Sequence, residues 1–179
     1  AIKPKTFEAF GAHKYDETKL IIQVSGLGLT GFDAYKILSR QYNIQVELAE
    51  SNIILCVFTI ATTEEDLNIL YDGLVNLAKN HRLPQKDIQT YRPKGTFPEA
   101  FVRPRSAYHA PSTFKSYEHA VGEIAAESVM IYPPGIPILI PGEIISEDII
   151  KNLSFYEKQG STILNEAPKG QIKVVDKET

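Results

Sequence analysis

A single cysteine, Cys56, occurs among the 179 residues, so a disulfide framework is excluded and the fold must rest on packing. Cys56 sits inside the apolar run IILCVFTIA, and no basic residue flanks it to lower its pKa. A buried, inert thiol is the expectation. Long apolar runs are missing too: residues 53–61 and 129–140 are either too short or broken by prolines to make the ~20-residue span a membrane requires. No charged-then-apolar leader is present near the start. Positive charge has no surplus, with 19 Lys+Arg against 22 Asp+Glu and a net charge of -3, which argues against a nucleic-acid module. His13, His81, His109 and His119 show no metal-ligand spacing, and neither CxxC nor HxxxH occurs. A nucleophile elbow is also missing. The expected chain binds no metal, nucleic acid or membrane and sits in the cytoplasm.

What is present reads as globular. Apolar residues make up 43% and charged residues 23%, a balance that disfavours global disorder. The length suits one medium domain or two small ones. The chain begins at Ala1, and strand patterning starts only near Lys19, so a piece of a longer protein is expected.

Lys19 to Val24 reads as a strand. Thr30 is placed to cap a helix running to about Tyr42, with Asp33 as its capping-box partner. Residues 44–48 and 53–60 read as two strands joined by a four-residue connection. Thr63 caps the next helix, whose expected buried stripe is Leu67, Leu70, Leu74 and Leu77. From Leu83 the texture changes: Pro84, Pro93, Pro98, Pro104 and Pro111 mark a linker or an extended crossing. A third helix is expected over 116–127, with Ala120, Ile124 and Ala125 inward. Ser146 caps a fourth helix that stops at Gly160, and Gln171 to Val175 forms a last strand. The predicted class is α/β (α+β): a β-α-β-β-α unit over 1–83, a proline-containing linker over 84–98, and a second α+β unit over 99–179.

Two constellations carry chemistry on paper. Gly26-Leu27-Gly28-Leu29-Thr30-Gly31 is a G-x-G-x-x-G between a strand and a helix, and Glu47 follows about twenty residues on, as in a dinucleotide-binding fingerprint. The strand carrying Glu47 is followed too soon by the next one, however. So short a connection makes an antiparallel hairpin, whereas a dinucleotide fold needs a crossover helix. The glycines then serve the strand-to-helix turn and close packing. The second constellation is Tyr132-Pro133-Pro134-Gly135-Ile136-Pro137-Ile138-Leu139-Ile140-Pro141-Gly142-Glu143. Pro133-Pro134 predicts an extended polyproline conformation, Gly135 a positive φ, and Pro141-Gly142 the centre of a type II turn. Such a stiff apolar loop serves as a packing turn or as a pocket wall formed by Tyr132, Pro133, Pro134, Gly135 and Glu143. His13-Lys14 resembles the pair around a Schiff-base lysine, but lies in a polar stretch with nothing to desolvate an amine.

YPPGIPILIPGE, preceded by EHAVGEIAAESVM, resembles the C-terminal domain of the bacterial ornithine/lysine/arginine decarboxylases. KLIIQV and TGFDAYKILSRQYNIQVELAESNIILCVFTIATTEEDL resemble the small domain that precedes it. The resemblance runs from about Lys19 to Val175. It implies an aminotransferase-type fold, a homodimer or larger assembly, and pyridoxal-phosphate-dependent decarboxylation of a basic amino acid, arginine preferred, in polyamine biosynthesis. It places the cofactor, its lysine and its phosphate loop in a large domain with no counterpart here, so this chain has no catalytic residue of its own and is expected to be inactive alone. It also gives Glu47, in IQVELAE, the part of reading the substrate's distal cation, for which a carboxylate's charge-assisted hydrogen bond is suited. A non-catalytic regulatory or interaction module using the same two domains is the alternative.

Overall fold

The computed structural model describes residues 1–9, 11, 14–82 and 98–176. The chain divides into two compact units, Ala1–Thr90 and Tyr91–Thr179. Residues 84–97 of the expected linker lie outside the described residues, as does His13.

In the first unit, α1 (Pro4–Glu8) opens with proline at its first position, where the missing N–H costs nothing. It precedes β1 (Lys19–Gln23), α2 (Gly31–Tyr42), β2 (Leu48–Ala49), β3 (Ile53–Val57) and α3 (Glu64–Asn80). The sheet order is β1-β3-β2 and both pairings are antiparallel. This is the expected β-α-β-β-α order. Both predicted helix starts are found with complete capping boxes. Thr30 accepts from the Asp33 N–H while Asp33 reaches back to the Thr30 N–H, and Thr63 and Asp66 do the same. Each cap contributes about 0.5–2 kcal/mol. Phe32, Leu38, Ile54 and Leu77 are fully buried and form the heart of this unit's core.

Three expectations here need correction. The strand expected over 44–48 shrinks to Leu48–Ala49 because the preceding residues close α2. Asn43 turns left-handed, Ile44 N–H donates to Leu38 O at 3.2 Å, and the Gln45 side chain bonds Tyr35 and Ser39. The strand expected over 53–60 ends at Val57, where Thr59–Thr62 forms a turn. On α3 the buried residues are Leu70, Gly73 and Leu77, while Leu74 is only partly buried and Leu67 is 44% exposed.

The G-x-G-x-x-G segment has a packing explanation. Gly28 takes a left-handed φ of 73° at the end of a short 3-10 turn over Ser25–Leu27. Gly31 donates its N–H to Glu50 O at 2.9 Å, and a Cβ there would lie 2.1 Å from Ile53 O and 2.2 Å from Glu50 O. The third glycine thus lets α2 touch the β2–β3 connection.

The second unit contains α4 (Pro104–Tyr108), β4 (Ser112–Ser116), α5 (Tyr117–Ala120), β5 (Val129–Tyr132), β6 (Ile136–Leu139), α6 (Glu147–Lys158), β7 (Thr162–Leu164) and β8 (Gln171–Val175). It holds two antiparallel sheets, β4-β8 and β6-β5-β7. Ala120, Ala125, Val129, Leu139, Ile145, Leu153, Ile172 and Val174 are its buried core. The Ser146 cap, the α6 helix and the last strand fall where the sequence places them. The proline-marked stretch past residue 98 is structured: it contains α4 and β4.

The helix expected over 116–127 is only one turn long. Val121 is extended and Gly122 has φ +81°, which ends the helix. The following backbone is taken up by distant partners. Gly122 N–H donates to Ile145 O at 2.8 Å, Ala125 N–H to Glu143 O at 2.9 Å, and Ala126 N–H to Lys173 O at 2.9 Å. Ala120 and Ala125 still point inward, since short alanine spacings fit either conformation.

The Tyr132–Gly142 segment also differs from an extended loop. It is a hairpin, β5 turning into β6 through Pro133–Gly135, with cis bonds before Pro133 and Pro134. Gly135 has the expected positive φ, +93°. The Pro141-Gly142 turn forms as expected, with Gly142 at φ +92° and Glu143 N–H donating to Ile140 O at 3.3 Å. Gly142 is also a close-approach point, since a Cβ would meet Val102 O at 2.2 Å.

The glycine motif makes a discriminating prediction. Nothing lies within 4 Å of a Cβ built on Gly26. Gly31→Ala is therefore expected to lower stability by at least about 1–3 kcal/mol and Gly26→Ala by no more than about 0.5 kcal/mol, measured by urea denaturation. Equal effects would mean the glycines are retained for something other than packing.

Candidate functional site

The expected site residues fall into separate places. Glu47 lies in the first unit just ahead of β2, its backbone N–H bonded to Leu55 O at 2.9 Å and its side chain exposed. The sheet therefore fixes its backbone and leaves its carboxylate presented outward. Tyr132, Pro133, Pro134 and Gly135 form the β5–β6 turn of the second unit; Pro133 is buried and Tyr132 is 42% exposed. Glu143 is half-buried and turns its carboxylate inward, accepting the Ile140 N–H at 2.8 Å, so it locks the Pro141-Gly142 turn.

Each unit has a cavity of its own. The larger, about 810 Å³, lies in the second unit between α6 and the loop after β7, with Tyr117, Glu157, Ser161, Thr162, Asn165 and Lys169 in its lining. None of the five proposed wall residues lines it, although Tyr132 sits opposite Thr162 in the β5–β7 register. The smaller, about 420 Å³, lies in the first unit and includes Tyr42, Cys56, Phe58, Asp66 and Leu70. Glu47 lines neither.

Sequence reasoning missed Glu127. The sequence places it at the end of a helix, yet it is 0% exposed. Its Oε1 accepts from Lys173 N–H at 2.7 Å and from the Asn165 side chain at 3.4 Å. Its Oε2 accepts from Ala167 N–H at 3.1 Å and from Glu166 N–H. The carboxylate thus gathers three backbone donors from β8 and from the loop after β7. That loop forms one wall of the larger cavity. Only the placement of an acid in IAAESVM, between small and apolar residues, hints at it.

Burial shifts two of the groups that line the cavities, Tyr117 and Cys56. Burial first, then the charges of Glu157 and Glu127 and a hydrogen bond with Glu157, push the Tyr117 hydroxyl up to about 12. Burial alone pushes the Cys56 thiol up to about 11, in line with the expected inert thiol.

The described residues do not fit a pyridoxal phosphate cradle. None of the described lysines is buried: Lys14 is exposed, Lys115 pairs with Glu123 at 2.9 Å, and Lys173 pairs with Glu166 at 2.8 Å. Among the described residues no group of three His, Cys, Asp or Glu is arranged to hold a metal ion, and no helix is long and apolar enough to cross a membrane.

Comparison with known proteins supplies the family. Residues 88–163 match the model for the Orn/Lys/Arg decarboxylase C-terminal domain. The arginine decarboxylase of Bacillus subtilis is 42% identical over 149 residues, covering 79% of this chain and 30% of that protein. The chain belongs to the Orn/Lys/Arg decarboxylase family. It corresponds to a C-terminal portion of such decarboxylases and spans about 30% of the length of the relatives it matches. The constitutive lysine decarboxylase of Escherichia coli is 29% identical over 90 residues, covering 48% of this chain and 12% of that protein. In fold, this chain resembles the crystal structure of the Francisella novicida lysine decarboxylase, with a TM-score of 0.66 at 20% identity over 91% of this chain and 31% of that one.

Two predictions follow from the site's buried groups. Glu127→Gln places an amide donor against backbone donors and is expected to cost about 2–4 kcal/mol in urea denaturation, whereas Glu166→Gln, which breaks a partly exposed ion pair, costs at most about 1 kcal/mol. The Cys56 thiol has its folded pKa raised from 9.0 to about 11, so the neutral form is favoured by folding. Its stabilising contribution is full below pH 9.0 and is lost as pH rises towards 11. A denaturation midpoint followed across that window should fall further for the parent chain than for Cys56→Ala. Parallel curves would place the thiol in contact with water.

Proposed function

We propose that this chain is part of a pyridoxal-phosphate-dependent decarboxylase of a basic amino acid, with arginine the preferred substrate. The observation that carries this reading is the 42% identity to arginine decarboxylases over most of the chain. Identity to the Escherichia coli lysine decarboxylase is lower, at 29%, which favours arginine over lysine. The setting is cytoplasmic polyamine biosynthesis. The domain boundaries are those read from the sequence: a small domain of aminotransferase type over 1–83, a linker over 84–98 and the family's C-terminal domain over 99–179. The cofactor, which supplies an electron sink for the carbanion left by decarboxylation, is held by a large domain outside this chain. This chain alone is inactive.

Its own residues contribute binding. Glu47, anchored through its backbone to β3 and exposed through its side chain, offers a fixed carboxylate to a cation arriving from outside the unit. A guanidinium matches it with two parallel hydrogen bonds, which an uncharged side chain cannot do. The hairpin turn at Tyr132–Gly135 and the locked turn at Glu143 serve the second unit as a pocket wall. Exposed Ile60, Leu67 and Tyr71 give the first unit an apolar surface of the sort that the large domain or a second copy covers in a homodimer or larger assembly.

The test is Glu47→Gln in the full-length enzyme. Loss of one side of a buried charged pair costs on the order of 2–5 kcal/mol, which is roughly a 30-fold to several-thousand-fold fall in kcat/KM. A neutral isostere of the substrate should lose much less. Equal losses for the two substrates would leave Glu47 without a part in recognition.

A further inference from the structure

The larger cavity is independent of the decarboxylase reading, since it is enclosed by residues of the second unit alone. Its polar groups are sorted by depth. Glu157 is partly buried and hydrogen-bonded with the half-buried Tyr117 hydroxyl, while Lys158 and Lys169 are exposed at the rim. A volume of about 810 Å³ falls in the range of small-molecule sites, roughly 300–1,000 Å³. One wall is also unusually fixed: the loop carrying Asn165, Ala167 and Lys169 is tied by the fully buried Glu127 through the Glu166 and Ala167 N–H groups. Burying a carboxylate is costly unless it is fully bonded, and here that cost secures the geometry of a cavity wall.

The charge arrangement selects the ligand. A purely anionic molecule would meet Glu157, and a purely cationic one would meet the two lysines. A molecule bearing an ammonium and a carboxylate a few bonds apart satisfies both, with its ammonium toward Glu157 and Tyr117 and its carboxylate toward Lys169. We propose that the cleft between α6 and the 165–170 loop binds a free α-amino acid in its zwitterionic form.

The experiment is a titration of the isotope-labelled 179-residue chain with L-arginine and with agmatine, which is arginine without its carboxylate, followed by backbone amide shifts. L-Arginine is expected to give saturable shifts centred on residues 157–170, and agmatine to bind at least about tenfold more weakly. Glu157→Gln and Lys169→Ala should each weaken L-arginine binding by about tenfold or more. Lys169 is exposed, so its replacement leaves folding intact and decides the matter even where Glu157→Gln melts early. Absence of saturable shifts with L-arginine in the tens of millimolar, equal binding of agmatine, or indifference to Lys169→Ala would overturn the proposal. Because Glu47 lies in the other unit and activity is not measured, either result leaves the decarboxylase reading untouched.

Discussion

The second unit depends on one buried carboxylate. Among the described residues, Glu127 is the only charged one that is fully buried, and its four hydrogen bonds reach residues 38 to 46 positions away in sequence. An ionised group in such a place is costly unless its lone pairs are filled, and here backbone N–H groups from β8 and the loop after β7 fill them. The exchange is mutual. Two of those N–H groups, from Glu166 and Ala167, belong to the loop after β7, and the carboxylate satisfies them. The loop's path, the closure of β8 onto the 124–126 segment and the wall of the large cavity all follow from this single acceptor.

The first unit is held differently. Its helices are started by capping boxes that bridge three residues, Thr30 with Asp33 and Thr63 with Asp66. Its sheet is a hairpin with one added strand. Close approach at Gly31 joins the two, because removing the side chain lets the backbone of α2 bond Glu50 O directly. The same device recurs in the second unit at Gly142, where the turn backbone meets Val102 O and Phe101 N–H donates to Gly142 O at 2.8 Å.

This contrast explains what the sequence disclosed. The order β-α-β-β-α, both capping boxes, the Ser146 cap and the last strand were legible because each depends on residues within one turn or one strand of each other. The 116–127 segment departs from its helical pattern because its alanine spacing satisfies a helix equally well, and the ladder bonds that override it come from Glu143, Ile145 and Lys173. Spacing alone puts Leu67 in the buried stripe, yet α3 packs on α2 and buries Leu70, Gly73 and Leu77, leaving Leu67 44% exposed. Family resemblance was visible in YPPGIPILIPGE, and the matching of residues 88–163 to the family's C-terminal domain agrees with it. The larger cavity was invisible, since Tyr117, Glu157 and Lys169 meet only in the folded unit.

The electrostatics show which side chains are held in one protonation state. General acid–base work needs a group whose pKa lies near the operating pH. Among the described residues, the resolved shifts all lead away from neutrality. Asp16 is lowered by hydrogen bonds from Thr18, and Asp66 by those from Thr63. Lys173 is raised by its hydrogen bond to Glu166. Burial raises both Cys56 and Tyr117. Each shift makes the group hold more firmly the state it already has at pH 7: carboxylates and an ammonium stay charged, a thiol and a phenol stay neutral. Groups of this kind keep one protonation state across the neutral range. They are poor proton carriers. Their part in the two units is structural: Asp16 and Asp66 hold turn and capping hydrogen bonds, and Cys56 packs in the interior.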